Sequence, residues 1–254
     1  MVPTMVSSRR SRTLIILALL IALAAVCVFM DLSWVSERKC YSFSKVWDIL
    51  TGNGTWAEET IVFEINAPRI VAGLFVGAGL AVTGAAMQAV FRNPLASPYI
   101  LGLSSGASLG AAIGMLFTIP FIPVIVATPI LSFITCFATM ILVYAMSRAG
   151  GGVKTETLIL STVVVAAAVS FVGVIGFIGL VIPHMLRILL GPDNRHIMPL
   201  CVVAGACFIL ICDYLAHIVA PLYGTLPIGV ATSLIGAPVF IYLLIRRRKE
   251  VGWS

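Results

Sequence analysis

Charge is what this chain has least of. Asp, Glu, Lys and Arg make up only 10% of its 254 residues, and there are just ten acids and three histidines. A soluble domain of this length needs a far more polar surface, so a water-soluble fold is excluded. Catalysis within a membrane needs acids, His or Cys gathered on one cavity. Only Asp213 and His217 stand close enough in the chain to begin such a cluster, so neither a catalytic residue nor a metal site is expected. Nowhere do the glycines precede the Lys-Ser/Thr pair that a phosphate-cradling loop requires, so no nucleotide or other cofactor is expected on the chain itself.

No spacing among the six cysteines suggests a disulfide framework. Cys27, Cys136, Cys201, Cys207 and Cys212 lie in apolar runs and read as small buried hydrophobes, with Cys40 alone in a polar stretch. The net charge of +6 is no nucleic-acid footprint either. Arg9, Arg10 and Arg12, and then Arg246, Arg247, Arg248 and Lys249, flank apolar segments. That is the positive-inside pattern of a membrane protein.

What the chain has is apolar length: 60% of it is hydrophobic and its mean hydropathy is +1.11. A span takes about 20 apolar residues, and irregular backbone cannot face lipid. The expected fold is therefore an all-α polytopic membrane protein, a single domain over residues 1–254, with seven to eight transmembrane segments. Six fall at 14–30, 68–90, 95–117, 124–146, 199–219 and 226–245. The run 158–190 is harder to place. Arg148 and Lys154 before it, and Arg187, Arg195 and His196 after it, belong on one side of the membrane. One crossing cannot satisfy both. Two short segments, 158–171 and 174–190, turning near Gly173 and Gly176, restore the parity and leave both termini cytoplasmic. The polar stretch 31–67 is then extracytoplasmic. Within it Phe43, Val46, Trp47 and Leu50 form a helical stripe ending at Gly52, a short helix lying on the membrane surface.

The most distinctive stretch is 68–114, two apolar segments joined at a polar corner, Arg92-Asn93-Pro94. Gly73, Gly77, Gly79 and Gly84 punctuate the first segment. Gly102, Gly106, Gly110 and Gly114 recur once per turn in the second, and such ridges let membrane helices approach closely. This stretch resembles the iron-siderophore and vitamin B12 importer permeases, the membrane subunits of a class of ABC transporters. The resemblance rests on Pro68-Arg69, Gln88, the RNPLA string from Arg92 to Ala96, Leu101-Gly102 and the SSGA string from Ser104 to Ala107. It extends to VIGFIGLVIPHMLR at 174–187, and so covers nearly the whole chain.

The resemblance implies a shortened version of the ten-span importer fold. About eighty residues are missing at 157–170, enough for two more spans and a loop. The lost loop is the one that docks into the ATPase subunit in the family. The implied partners are a second copy of the chain or a related permease, ABC ATPase subunits that use ATP, an extracytoplasmic substrate-binding protein and membrane lipid, with no nucleic acid. The implied seat is the cytoplasmic membrane of a prokaryote. An uncoupled permease that inserts but no longer answers ATP hydrolysis is the competing reading.

By the same resemblance, Gln88, Ser104, Ser105 and Gly106 are expected along the translocation path. The serine hydroxyls equally suit bonds to the preceding helical turn. Arg92, Asn93, Pro94, His184 and Arg187 are expected at cytoplasmic corners. Gln88 and Asn93 are read as tying down the first corner, with Pro94 starting the third helix. Arg69, Asp213 and His217 are expected to face the binding protein. Here the family carries more arginine: Asn66 and His217 stand where it has Arg. Asp213 and His217 share a helix face at i,i+4, so a protonated His217 is expected either to pair with Asp213 or to reach the binding protein, and docking to strengthen on acidification.

Overall fold

A computed structural model describes residues 3–36, 39–117, 120–148, 159, 162–167, 169, 175–223 and 226–251. The expected loop at 150–154, positions 157, 158, 160, 161, 168 and 170 of the stretch 157–170, and Gly173 lie outside these residues, as do the side chains of Arg9, Arg10 and Arg246 to Lys249.

The chain is helical almost throughout. Helix α1 (Pro3–Leu32) is followed by a two-stranded antiparallel ribbon, Trp34–Ser36 with Lys39–Cys40. Helix α2 (Phe43–Leu50) starts on Ser42, whose hydroxyl accepts from the Lys45 N–H. The stripe expected to face the membrane divides on folding. Phe43, Trp47 and Leu50 are exposed, whereas Val46 turns inward with Ile49.

The second span begins earlier than its apolar pattern suggests. Thr55 and Glu58 form a capping box that opens α3 (Trp56–Glu59), and a π-helical stretch, Thr60–Asn66, carries the chain without a break into α4 (Ala67–Val90). The cap lets polar residues at the mouth of the helix be helical. Glu58 also pairs with Lys45 at 2.9 Å, and this hydrogen bond raises the Lys45 ammonium above its ordinary value.

Beyond α4 the corner is longer than expected. Pro94 does not start a helix. The Asn93 side chain accepts from the Leu95 N–H at 3.0 Å and closes a turn, a short 3₁₀ helix spans Pro98–Leu101, and α5 (Leu103–Leu116) begins only after Gly102, at φ 75°. Helix α6 (Val124–Arg148) returns alongside. After the partly described 162–167, which is helical, the backbone breaks at 175–177. The left-handed Phe177 (φ 68°) then leads into α7 (Ile178–Leu190). Helices α8 (Asn194–Tyr223) and α9 (Ile228–Val251) complete the chain. Among the described residues of 158–190 there are thus two helical pieces, 162–167 and Ile178–Leu190.

Among the described residues, four helices are long and apolar enough to cross a membrane, and three shorter apolar ones accompany them. Their core is held by two small-residue seams. In the first, α4 packs on α8 and α7. Gly77 and Gly205 face each other so closely that a Cβ on either would meet the other's carbonyl, and a Cβ on Gly84 would meet the carbonyl of Gly179. That carbonyl has lost its helical partner, because Pro183 four residues on has no N–H to give. In the second seam, Gly106, Gly110 and Gly114 of α5 lie on Thr139, Thr135 and Thr128 of α6. All five cysteines in apolar runs are buried and Cys40 is exposed.

Candidate functional site

Helix α4 carries polar groups at both ends. Arg69 and Gln88 are nineteen residues apart, which is roughly 28 Å at 1.5 Å per residue.

At the first end, α4 and α8 bring Arg69, Asp213 and His217 together. Arg69 Nε lies 3.1 Å from Asp213 Oδ2, and Arg69 Nη1 lies 2.6 Å from His217 Nε2. Arginine only donates, so Nε2 is the acceptor. The other ring nitrogen, Nδ1, donates to the Asp213 backbone carbonyl at 2.6 Å. These two bonds fix His217 as the neutral Nδ1–H tautomer. The expected neighbours Asp213 and His217 do meet, with Nδ1 3.9 Å from Asp213 Oδ2, but Arg69 is the shorter partner of that carboxylate. The physical reason is that a guanidinium arriving from α4 is a stronger and permanent partner.

The Trp34 ring packs on His217 with centroids 5.5 Å apart and edge-on to Tyr214 at 5.9 Å. Asn66, buried, donates to the carbonyls of Trp34 (2.7 Å) and Leu32 (3.3 Å), and so ties the strand end to the bundle. A cavity of about 400 Å³ opens beside Arg69, Gly73, Asp213 and Ile228. Sequence reasoning missed Asp31. It closes α1, is 1% exposed, and its carboxylate has no hydrogen-bond partner among the described residues. The signal was available: an acid one residue beyond an apolar run of full membrane length.

At the second end, Arg187 of α7 is a strut. Its Nε donates to Gln88 Oε1 (3.3 Å), Nη2 to the Ala85 carbonyl (3.1 Å) and Nη1 to the Pro192 carbonyl (3.3 Å). Gln88 in turn donates to the Leu180 carbonyl at 3.1 Å. Gln88 therefore binds α4 to α7, and does not fasten the Arg92–Pro94 corner as expected. Arg92, Pro94, Arg187 and Asn194 line a polar cleft of about 290 Å³ beside it. His184 is half-buried one turn before Arg187.

The remaining path candidates meet three different surroundings. Ser104 is buried, Ser105 is exposed, and Gly106 is pressed against Thr139 and the Thr135 carbonyl. It is Ser108 that bonds back, to the Ser104 carbonyl at 2.8 Å.

Comparison with known proteins follows this geometry. A sequence profile of the FecCD transport family matches in two stretches, residues 19–165 and 151–246. The hemin transport system permease protein of Yersinia pestis is 29% identical over 303 aligned positions, which cover 82% of this chain and 89% of that protein. The cobalamin import system permease protein of Halobacterium salinarum is 31% identical, covering 76% of this chain and 75% of that one. The Fe(3+) dicitrate transport system permease protein FecD of Escherichia coli is 29% identical over 74% and 86%. Among solved structures, an inward-facing conformation of a metal-chelate type ABC transporter superposes with a TM-score of 0.74 at 22% identity. That superposition covers 91% of this chain and 99% of the other.

Proposed function

This chain belongs to the FecCD transport family, and we propose that it is the membrane-spanning permease subunit of an ABC importer for ferric-siderophore, haem or cobalamin-type chelates. One observation carries the reading. Arg69 and His217, 148 residues apart, converge at one end of the bundle, where the resemblance puts the docking of a binding protein.

In this reading the Arg69 end faces outward and its guanidinium steers an acidic extracytoplasmic partner. The Arg187 end faces the cytoplasm and the separate ATPase subunits, with both termini on that side. Two copies, or this chain and a related permease, enclose the path, to which Gln88, Ser104, Ser105 and Gly106 are assigned. Partners bias a path that opens to one side or the other, and the chain itself makes and breaks no covalent bond. The test is uptake of labelled haem, cobalamin and ferric siderophore by cells lacking their own permease, given this chain with its ATPase and binding protein. Restored uptake of one chelate, lost in Arg69→Glu, is expected. No uptake of any of the three overturns the reading.

A second reading, an internally deleted permease that inserts without coupling, is favoured by two facts. The family profile fits in two overlapping pieces, and the hemin permease aligns over 303 positions, more than the 254 residues of this chain. Co-purification of the ATPase with this chain, beside a version carrying a family-type insert between 157 and 170, separates the two. Retention only by the version with the insert favours the uncoupled permease.

A further inference from the structure

We infer that the cleft between Arg92 and Arg187 is a receptor for a carboxylate side chain of the ATPase subunit, taking over docking that the missing loop performs elsewhere in the family. The inference rests on the importer reading and names the contact.

The cleft, about 290 Å³, is lined by two guanidiniums and no acid. Arg92 is exposed and its side chain has no hydrogen bond or ion pair with the described residues. Its backbone is left-handed at φ 48°, a conformation that a side-chain-bearing residue holds only against a conformational cost. The corner is made rigid by the Asn93–Leu95 turn and by Pro94. Opposite it, Arg187 is locked by three acceptors, yet each terminal nitrogen still has a second N–H. Two guanidiniums on rigid elements suit a carboxylate, which accepts from both in charge-assisted hydrogen bonds.

Asn194 lines the same cleft, and its Oδ1 is buried without a hydrogen-bond partner among the described residues. No large apolar side chain lines the cleft to hold an acyl chain, which disfavours a lipid headgroup.

The test retains the ATPase subunit on the full-length tagged chain in detergent, for wild type, Arg92→Glu, Arg92→Gln and Arg92→Lys, with Lys45→Glu as a reversal at the opposite end. Expected is a loss on the order of tenfold for Arg92→Glu, a smaller loss for Arg92→Gln, substantial retention by Arg92→Lys, and release by salt. Thermal unfolding should be unchanged for the three Arg92 variants, since that side chain is exposed. If wild type and Arg92→Glu retain the ATPase equally, the receptor is wrong and the importer reading stands. If wild type retains none, both fall. A fall in bound phospholipid phosphate in Arg92→Glu, with ATPase unchanged, assigns the cleft to lipid and also overturns the inference.

Discussion

The two ends of α4 use the same chemistry to opposite effect. At the Arg69 end the guanidinium is held by Asp213 and by His217, with Nη2 left without a hydrogen-bond partner among the described residues. At the Arg187 end one guanidinium is consumed by Gln88 and two carbonyls, while a second, Arg92, is left beside an acid-free cleft. The first end holds one acid more than it has bases, counting the buried Asp31 and a neutral His217. At the second, the residues lining the cleft include two arginines and no acid, with Asp193 beside it held by His196 and the Arg195 N–H. An arginine is thus a structural strut or an available docking group according to how many acceptors its own fold supplies.

The largest effect is expected where both ends are held in register. Gly84→Leu puts a side chain into the Gly179 carbonyl, and overpacking of this kind costs about 1–3 kcal/mol or more because neither backbone can retreat. Thermal unfolding in detergent should drop sharply, with poor membrane insertion. An unchanged midpoint would mean that the α4–α7 seam is looser than it looks.

Asp213→Ala comes next and sharpens the contrast between the ends. It leaves Arg69 beside the cavity without its carboxylate, and a cost of about 1–3 kcal/mol is expected for a half-buried charge losing its partner. Arg187→Lys, which keeps the charge and loses the three-way fork, should cost about 1–2 kcal/mol, less than Asp213→Ala. Equal losses would erase the distinction between a paired charge and a strut.

A smaller effect should follow His217→Leu, which removes the acceptor of one Arg69 N–H and leaves the ion pair with Asp213 in place. The Trp34 ring, in contact with His217, should report the loss as a change in fluorescence. An unchanged Trp34 signal would mean that His217 does not hold this end together. Smallest of all, Lys45→Met breaks a partly exposed pair and should move the unfolding midpoint least.

Much of this arrangement was legible. Apolar length placed the helices, because lipid forbids irregular backbone. The glycines of 73–84 and 106–114 marked the seams, because only small residues permit backbone contact. The i,i+4 spacing put Asp213 and His217 on one face. Boundaries were misread where polar residues are helical for local reasons. The Thr55–Glu58 capping box extends a helix backward through a polar stretch, and the Asn93 turn delays α5 past Pro94. Gln88 looked like a corner residue because it adjoins one in sequence. Its true partners, Leu180 and Arg187, are more than ninety residues away.

By itself the sequence determined that this is a helical membrane protein of the FecCD family, with its small-residue seams and basic flanks. Those properties follow from solvent and from spacing along one helix, and both are written in local order. Only the tertiary structure decided which arginine is bound and which is free, that His217 is neutral, and that Asp31 is buried beside Asp213. Each of these depends on acceptors brought from distant helices, and no periodicity within a single segment encodes the distance between two of them.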